Sequence, residues 1–459
     1  MSNIRKSSIM ESLEQFREYY CNVLKEISSE SYFGRSAYGN GDIKAAKYII
    51  DRLVENGAEP LRNEMADRAG RPAYPEYKSA VIPGGEGRWN GEPAYYKDFL
   101  QHFEYPMNVM RGSMELSVDG KEYRPTFDFV VKEFSPSCKG EFRIHYLDER
   151  YYSPDIFCNY LSSGEFRDSF VVLDWKLFWE KLPSESWLER YFPYLEPLEN
   201  IGGIILKDSK PEQFPYFKAR SYKVLNMPVL VVNSTFPDNA VSLCINIESQ
   251  MIEHKDGHNI LAVIKGSVNP EKYTFFVAHY DHLGLMGAGN VYPGANDNGS
   301  GTAMLLALSH YYSKHKPTNS VVFFFPDAEE SNLLGSFYYV ENPYVPLDKT
   351  VTVIDVDMVA DTGNRLSCQV GDGKDSTRNV LEEFKVCNSG ISSPFEEILR
   401  EELNDNSDHY PFVLKGVPAI YLEIVGDCYR HYHTPRDSYG NSSDSNIERL
   451  LELVVSFAG

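Results

Sequence analysis

The 459 residues contain no C-x-x-C pair and an odd number of cysteines, seven. This argues against both a thiolate zinc cluster and a disulfide framework. Cys21, Cys138, Cys158, Cys244, Cys368, Cys387 and Cys428 read mostly as small buried hydrophobes. No apolar run approaches the ~20 residues of a membrane-spanning helix. Basic residues are scarce beside acidic ones, with 45 Lys+Arg against 66 Asp+Glu and a formal charge of −21. Such a surface repels phosphate backbones, so nucleic-acid binding is not the main task. The opening MSNIRKSSIM has basic residues but no apolar stretch behind them, so no signal peptide is visible. A processed chain would read the same, which leaves both export and a cytoplasmic location open.

What is present is ordinary for a folded chain: 42% hydrophobic and 24% charged residues. The length suits about three units of ~150 residues, or one large α/β domain with a smaller one. Leu13, Phe16, Tyr20, Val23, Leu24 and Ile27 recur at helical spacing over 11–29. A second helix is predicted over 42–56, stopped by Gly57. From about 60 to 250 the chain is rich in Tyr, Phe, Pro and Gly, and residues 60–110 carry no clear pattern. Short β-like runs follow at Met114–Val118, Phe127–Val131, Phe170–Leu173, Ile201–Leu206 and Val229–Val232, with one helical candidate at Trp175–Glu180. After about 258, strands (Ile260–Ile264, Tyr273–Ala278, Val321–Phe325, Val351–Val356, Val417–Ile424) alternate with helices (Ser300–Ser313, Leu334–Glu341, Asn446–Phe457). The fold class expected is α/β: a mixed, mostly parallel central sheet flanked by helices, with an inserted, mainly-β domain. The boundaries expected are 1–110, 111–246 and 247–459.

The chemistry-bearing residues of the C-terminal half fall at strand ends. One strand runs into Ala278-His279-Tyr280-Asp281, another into Pro326-Asp327-Ala328-Glu329-Glu330, a third into Asp355-Val356-Asp357-Met358. The loop Pro293–Gly301 carries Asp297 before a helix, and His431-Tyr432-His433-Thr434-Pro435-Arg436-Asp437 follows the last strand. The carboxyl edge of an open parallel sheet is where such folds gather ligands. Two imidazoles with several carboxylates suit Zn²⁺. A carboxylate such as Asp297, flanked by small residues, can bridge two metals ~3.5–4 Å apart. Asp281 can accept the second ring N–H of His279 and fix its tautomer. Glu329 and Glu330 point in different directions on a strand end, so one suits a metal and the other a general base. Each residue also has a plainer use. Asp297 can cap a helix, Glu329 and Glu330 can favour a helix dipole, and His279 can be a satisfied core histidine. An inward carboxylate on the 351–356 strand is costly without a cation, and that favours the metal reading.

AHYD, PGANDNGSG, DAEE, DVDM and YHTPRDS, in this order, resemble the di-zinc exopeptidase family of bacterial leucyl aminopeptidases. Glutamate carboxypeptidase, the transferrin receptor and the glutaminyl cyclases share that fold. The resemblance spans about 258–459 and the segment Gly34–Gly57. It implies two zinc ions per chain, His279 and Asp357 on one, Glu330 and His433 on the other, and Asp297 bridging. It makes Glu329 the general acid/base and Asp281 the residue that orients His279. The substrate implied is a peptide shortened from its N-terminus. Ser407-Asp408-His409 resembles the family's SDH signature. Asn404 stands where some relatives carry a Tyr that polarises the scissile carbonyl, with Tyr410 and His409 as weak substitutes. The β-rich stretch 111–246 resembles a protease-associated domain in position and composition. His431 reads as a surface or pocket-lining residue. Three other readings stay open on the same scaffold: a one-zinc glutaminyl cyclase, a catalytically silent binding protein, and a carboxypeptidase for acidic C-termini that uses Arg430 and Arg436.

Overall fold

The computed structural model describes residues 2–36, 40–63, 93–164, 166–181, 192–208, 223–373 and 379–459. Within the patternless stretch 60–110, residues 64–92 lie outside the described residues, as do positions 37–39 of the Gly34–Gly57 segment.

The sequence's apolar runs become the middle of the sheet. Strands Asn269–Val277, Asn319–Phe325, Thr350–Val356 and Ala419–Val425 pair in parallel. Their doubly buried character is why they read as continuous hydrophobic stretches. Ser242–Ile264 runs antiparallel to 319–325 on one side, and Arg365–Gly371 runs antiparallel to 419–425 on the other. Because side chains alternate across a strand, two cores form. Phe276, Phe323, Phe325, Ile354, Ile420 and Leu422 pack under helices Ser2–Ile27, Gly41–Glu55, Gly301–Lys314 and Ile447–Ala458. Phe275, Val277, Phe324, Val353 and Ala419 face the other way, onto Tyr339 and Phe412 of helices Leu334–Glu341 and His409–Leu414. Fully burying each such side chain is worth ~1.5–3 kcal/mol, enough to fix which face every strand residue takes.

The chain leaves and re-enters this unit along a long antiparallel pair, Leu100–Val118 with the 242–264 strand. Between them lies a separate core containing Phe129, Phe170, Ile204, Val229 and Ile245. Its strands Cys138–Tyr146, Phe166–Asp174, Ile201–Lys207 and Val229–Val232 are mutually parallel, and the short helices Pro154–Leu161 and Trp175–Lys181 accompany them. The same core takes in Leu283, Met286, Tyr292 and Ala328 from the loops at the carboxyl edge of the first sheet. Among the described residues, no helix is long and apolar enough to cross a membrane.

Candidate active site

The four parallel strands all point the same way, so the residues just past their ends meet at one edge. His279 continues the buried ladder Phe275–Val277, and Asp357 continues Val353–Asp355. Glu329 and Glu330 lie beyond Phe325, in a turn where Ala328 has a φ of 61°. His433 comes from the segment after the last strand.

The loop carrying Asp297 is held from several sides. The Asp437 carboxylate accepts hydrogen bonds from the backbone N–H groups of Asn296 (2.7 Å) and Asp297 (2.9 Å). The Asn298 side chain donates to Val356 O (3.0 Å), and the Ser300 hydroxyl receives Val359 N (2.9 Å). Gly301 lets the following helix start against the strand end, since a Cβ there would lie 2.0 Å from Val356 O. Beneath the loop the fully buried Arg35 guanidinium donates to the carbonyls of Tyr280, Pro293, Gly294 and Asp297 at 2.7–3.1 Å.

These supports bring all the residues expected at the site together. His279 Nε2 lies 3.4 Å from Asp297 Oδ1 and 3.7 Å from Asp357 Oδ2. His433 Nε2 lies 3.0 Å from Asp297 Oδ2 and 3.2 Å from Glu330 Oε2. Asp297 thus presents one oxygen to each group. Glu329 Oε2 stands 3.8 Å from His279 Nε2. Two triads, His279–Asp297–Asp357 and His282–Asp297–Glu330, each place their donor atoms within 4.8 Å of one another, and every member is buried. Among the described residues, no hydrogen bond reaches the buried oxygens Asp297 Oδ2 and Asp357 Oδ1. Nitrogen and oxygen donors in this number, some left without hydrogen bonds, fit divalent cations of the zinc type.

The charges agree. Burial pushes the Glu329 carboxyl well above its usual range; His279 pulls it down, while Glu330, Asp408 and Asp357 push it further up. Burial also lifts Asp357, to about 6. Asp297 goes the other way. Burial works against its ionised form, yet His282, His279 and His433 hold it well below the usual carboxylate value. His433 rises to about 9 against the cost of its burial, because Glu330 and Asp297 surround it. Such a cluster calls for positive charge at its centre.

Asp281 has a divided role. The His279 Nδ1–H points to the Asp281 backbone carbonyl (3.2 Å), and the carboxylate lies at 3.6 Å. The two carboxylate oxygens instead accept the backbone N–H groups of Glu329 (3.1 Å) and Glu330 (3.4 Å). Asp281 therefore fixes the tautomer of His279 through its main chain and seats the two glutamates through its side chain. In the SDH segment, Ser407 donates to Asp357 Oδ2 (3.1 Å) and His409 N to Asp355 Oδ2 (2.8 Å). The His409 ring is buried behind the strand end, 3.4 Å from Asp355, and Asn404 is exposed and tied to Gln369. His431 is half-buried beside Arg430, outside both triads.

Sequence reasoning missed four contributors. Arg35 and Asp437 act on backbone atoms far away in sequence. His282 sits one residue past Asp281 and reaches Glu330. Glu423 follows Leu422, whose carbonyl receives Asp357 N (3.1 Å), and thus flanks Asp357 on the neighbouring strand. The only available signal was the periodicity of 419–425, which puts Tyr421 and Glu423 on the face that carries Asp355 and Asp357.

Residues 259–458 match the family model described as peptidase family M28. Over 181 residues the chain is 30% identical to a probable leucine aminopeptidase 2 of Aspergillus fumigatus, covering 38% of this chain and 34% of that protein. Over 211 residues it is 27% identical to aminopeptidase YwaD of Bacillus subtilis, covering 44% of each. The chain thus spans less than half the length of these curated relatives. In fold it is similar to a zinc aminopeptidase from Bacillus subtilis (TM-score 0.64, 17% identity, covering 96% of this chain and 94% of that one). It is also similar to a peptidase M28 precursor from Shewanella amazonensis (TM-score 0.65, 16% identity, covering 100% of this chain and 96% of that one). Through residues 259–458, the chain is thus similar to peptidase family M28.

Proposed function

We propose that the chain is a di-zinc aminopeptidase that removes N-terminal residues from peptides. The observation that carries this reading is Asp297, whose two oxygens face two separate His–carboxylate groups while Glu329 belongs to neither triad. His279 and Asp357 would hold one ion, Glu330 and His433 the other, with Asp297 shared. Zinc there supplies a Lewis acid for the scissile carbonyl and lowers the pKa of the attacking water. Glu329 takes a proton from that water and returns it to the leaving amine. Burial and its acidic neighbours make Glu329 the stronger base. Asp281 keeps both glutamates and His279 in register.

Glu423 is assigned to the substrate's free α-amine. Burial, then the charge of Asp357, lifts its carboxyl to about 7, and an ammonium group brought alongside would offset that crowding. Glu423→Gln should raise KM for aminoacyl anilides roughly 10-fold or more, the worth of a charge-assisted hydrogen bond, with kcat little changed. An unchanged KM removes this assignment.

Metal dependence is the first check on the reading as a whole. Chelation should abolish hydrolysis and added zinc restore it. A chain that cleaves at full rate without metal contradicts the reading. The domain limits 1–110, 111–246 and 247–459 belong to the same proposal, with the middle segment walling one side of the cleft. Its core, shared with Leu283, Met286 and Tyr292, supports this. Folded proteins should then be far poorer substrates than short peptides, and equal rates would count against the wall.

A further inference from the structure

The mechanism above gives His282 no task, yet His282 is one of the most tightly placed side chains at the site. Its side chain is 0% exposed. It lies against Gly294, where φ is 60° and an added Cβ would come within 2.4 Å of the His282 Cδ2. The ring therefore occupies the place of a side chain that the loop before Asp297 does not have. Nδ1 is 2.9 Å from Glu330 Oε1 and 3.8 Å from Asp297 Oδ2. Nε2 is buried, with no hydrogen-bond partner among the described residues.

An ionised carboxylate only accepts hydrogen bonds, so at 2.9 Å the Nδ1 must carry the proton. A protonated nitrogen has no lone pair to offer a metal. The contact also occupies Oε1 of Glu330 and leaves Oε2, 3.2 Å from His433 Nε2, as the oxygen turned toward the second cation position. A ligating carboxylate whose other oxygen is held by a buried donor is restricted to one rotamer and one mode of binding.

We infer that His282 is a positioning residue for the second metal: its Nδ1–H holds Glu330 so that one oxygen is delivered to the ion. The inference rests on the di-zinc reading. The competing role, with His282 as a metal ligand through a deprotonated Nδ1, uses the same atoms and is the alternative the test decides.

Asn and Gln separate the two. The amide nitrogen of Asn falls where the imidazole has Nδ1, and that of Gln falls where it has Nε2. Either amide can donate a hydrogen bond, and neither replaces an imidazole as a zinc ligand. The two zinc dissociation constants would be measured on the full-length protein, wild type, H282N and H282Q, by competition with a chromophoric chelator, alongside metal content and thermal unfolding of the metal-free proteins. Positioning predicts that H282Q weakens one zinc by about 10–100-fold and leaves the other alone, while H282N keeps most of the affinity. Equal losses in H282N and H282Q overturn the inference in favour of ligation, and no loss in either overturns it outright. A wild type that binds a single ion overturns the di-zinc reading only, since the same pair of variants still reports on the ion at Glu330. A wild type that binds none overturns both.

Discussion

Glu329→Gln is expected to retain zinc and fold but to lose turnover of aminoacyl anilides by roughly 10²–10⁴-fold, the usual contribution of a positioned general base. Gln has the same shape and still donates its backbone N–H to Asp281, a bond of 3.1 Å that does not involve the side chain. What disappears is a buried carboxylate that its surroundings have made basic: burial first, then Glu330, Asp408 and Asp357, against the pull of His279. Removing one negative charge from so crowded a cluster should leave thermal stability equal or slightly higher. The combination of lost rate with retained metal and fold is the diagnostic. If the variant turns over at the parental rate, the base lies elsewhere. If it loses its zinc as well, Glu329 is a ligand.

The second large effect is expected far from the chemistry. Arg35→Met should destabilise the protein by about 4 kcal/mol or more, at the upper end for a single substitution, and weaken zinc binding with it. Arg35 is 0% exposed. Its Nε donates to Tyr280 O, its Nη1 to Pro293 O and Ile27 O, and its Nη2 to Gly294 O and Asp297 O. One planar fork thus joins the end of the first helix, the His279–Asp281 turn and the Asp297 loop. Methionine fills the volume but strands those carbonyls, at ~1–3 kcal/mol for each left unsatisfied. Part of the loss is offset because a buried charge no longer has to be desolvated, and burial does lower the Arg35 pKa. Arg35→Lys should recover little, since an ammonium is a point donor and cannot span the same acceptors. Denaturant unfolding monitored with zinc content would show both effects. A variant with wild-type midpoint and zinc content would remove Arg35 from the account.

How far the sequence could be read follows from where the information lies. The strands 269–277, 319–325 and 350–356 enter the core and appear as apolar runs, so their ends, where His279, Glu329, Glu330 and Asp357 lie, were legible. The Leu334–Glu341 helix is reproduced residue for residue. The strand Ser242–Ile264 was only half visible. Its later part enters the core as an apolar run, but its earlier part is a partly exposed arm that carries Glu248, Gln250, Glu253 and His254. Arg365–Gly371 escaped for a similar reason. Leu366, Cys368 and Val370 face the core, while Ser367 and Gln369 face the polar SDH segment, where Gln369 bonds Asn404 and Asn406. In the middle segment the β runs at 170–173, 201–206 and 229–232 were recognised, but not Cys138–Tyr146, nor that these four strands pair in parallel, because register is a property of neighbours.

The same division applies to the site. Residues whose own identity announces chemistry at a strand end were legible. His282, Arg35, Asp437 and Glu423 were not, because each acquires its role from an atom that tertiary structure brings to it: a carboxylate oxygen at Glu330, carbonyls at 293–297, backbone N–H groups at 296 and 297, and the flank of Asp357. Asp281 shows the intermediate case. Its place beside His279 was anticipated from the H-x-D spacing, but the ring bonds its backbone carbonyl and not its carboxylate, and its grip on the Glu329 and Glu330 backbone was not foreseen.

The claim on which everything else rests is that Asp297 stands between two zinc ions with Glu329 coordinated to neither. Anomalous diffraction at the zinc edge from crystals of the zinc-loaded protein tests it directly. The account predicts two peaks about 3.5–4 Å apart, one against His279 and Asp357, the other against Glu330 and His433, each touching a different oxygen of Asp297. One peak alone, or a peak in contact with Glu329, would contradict it.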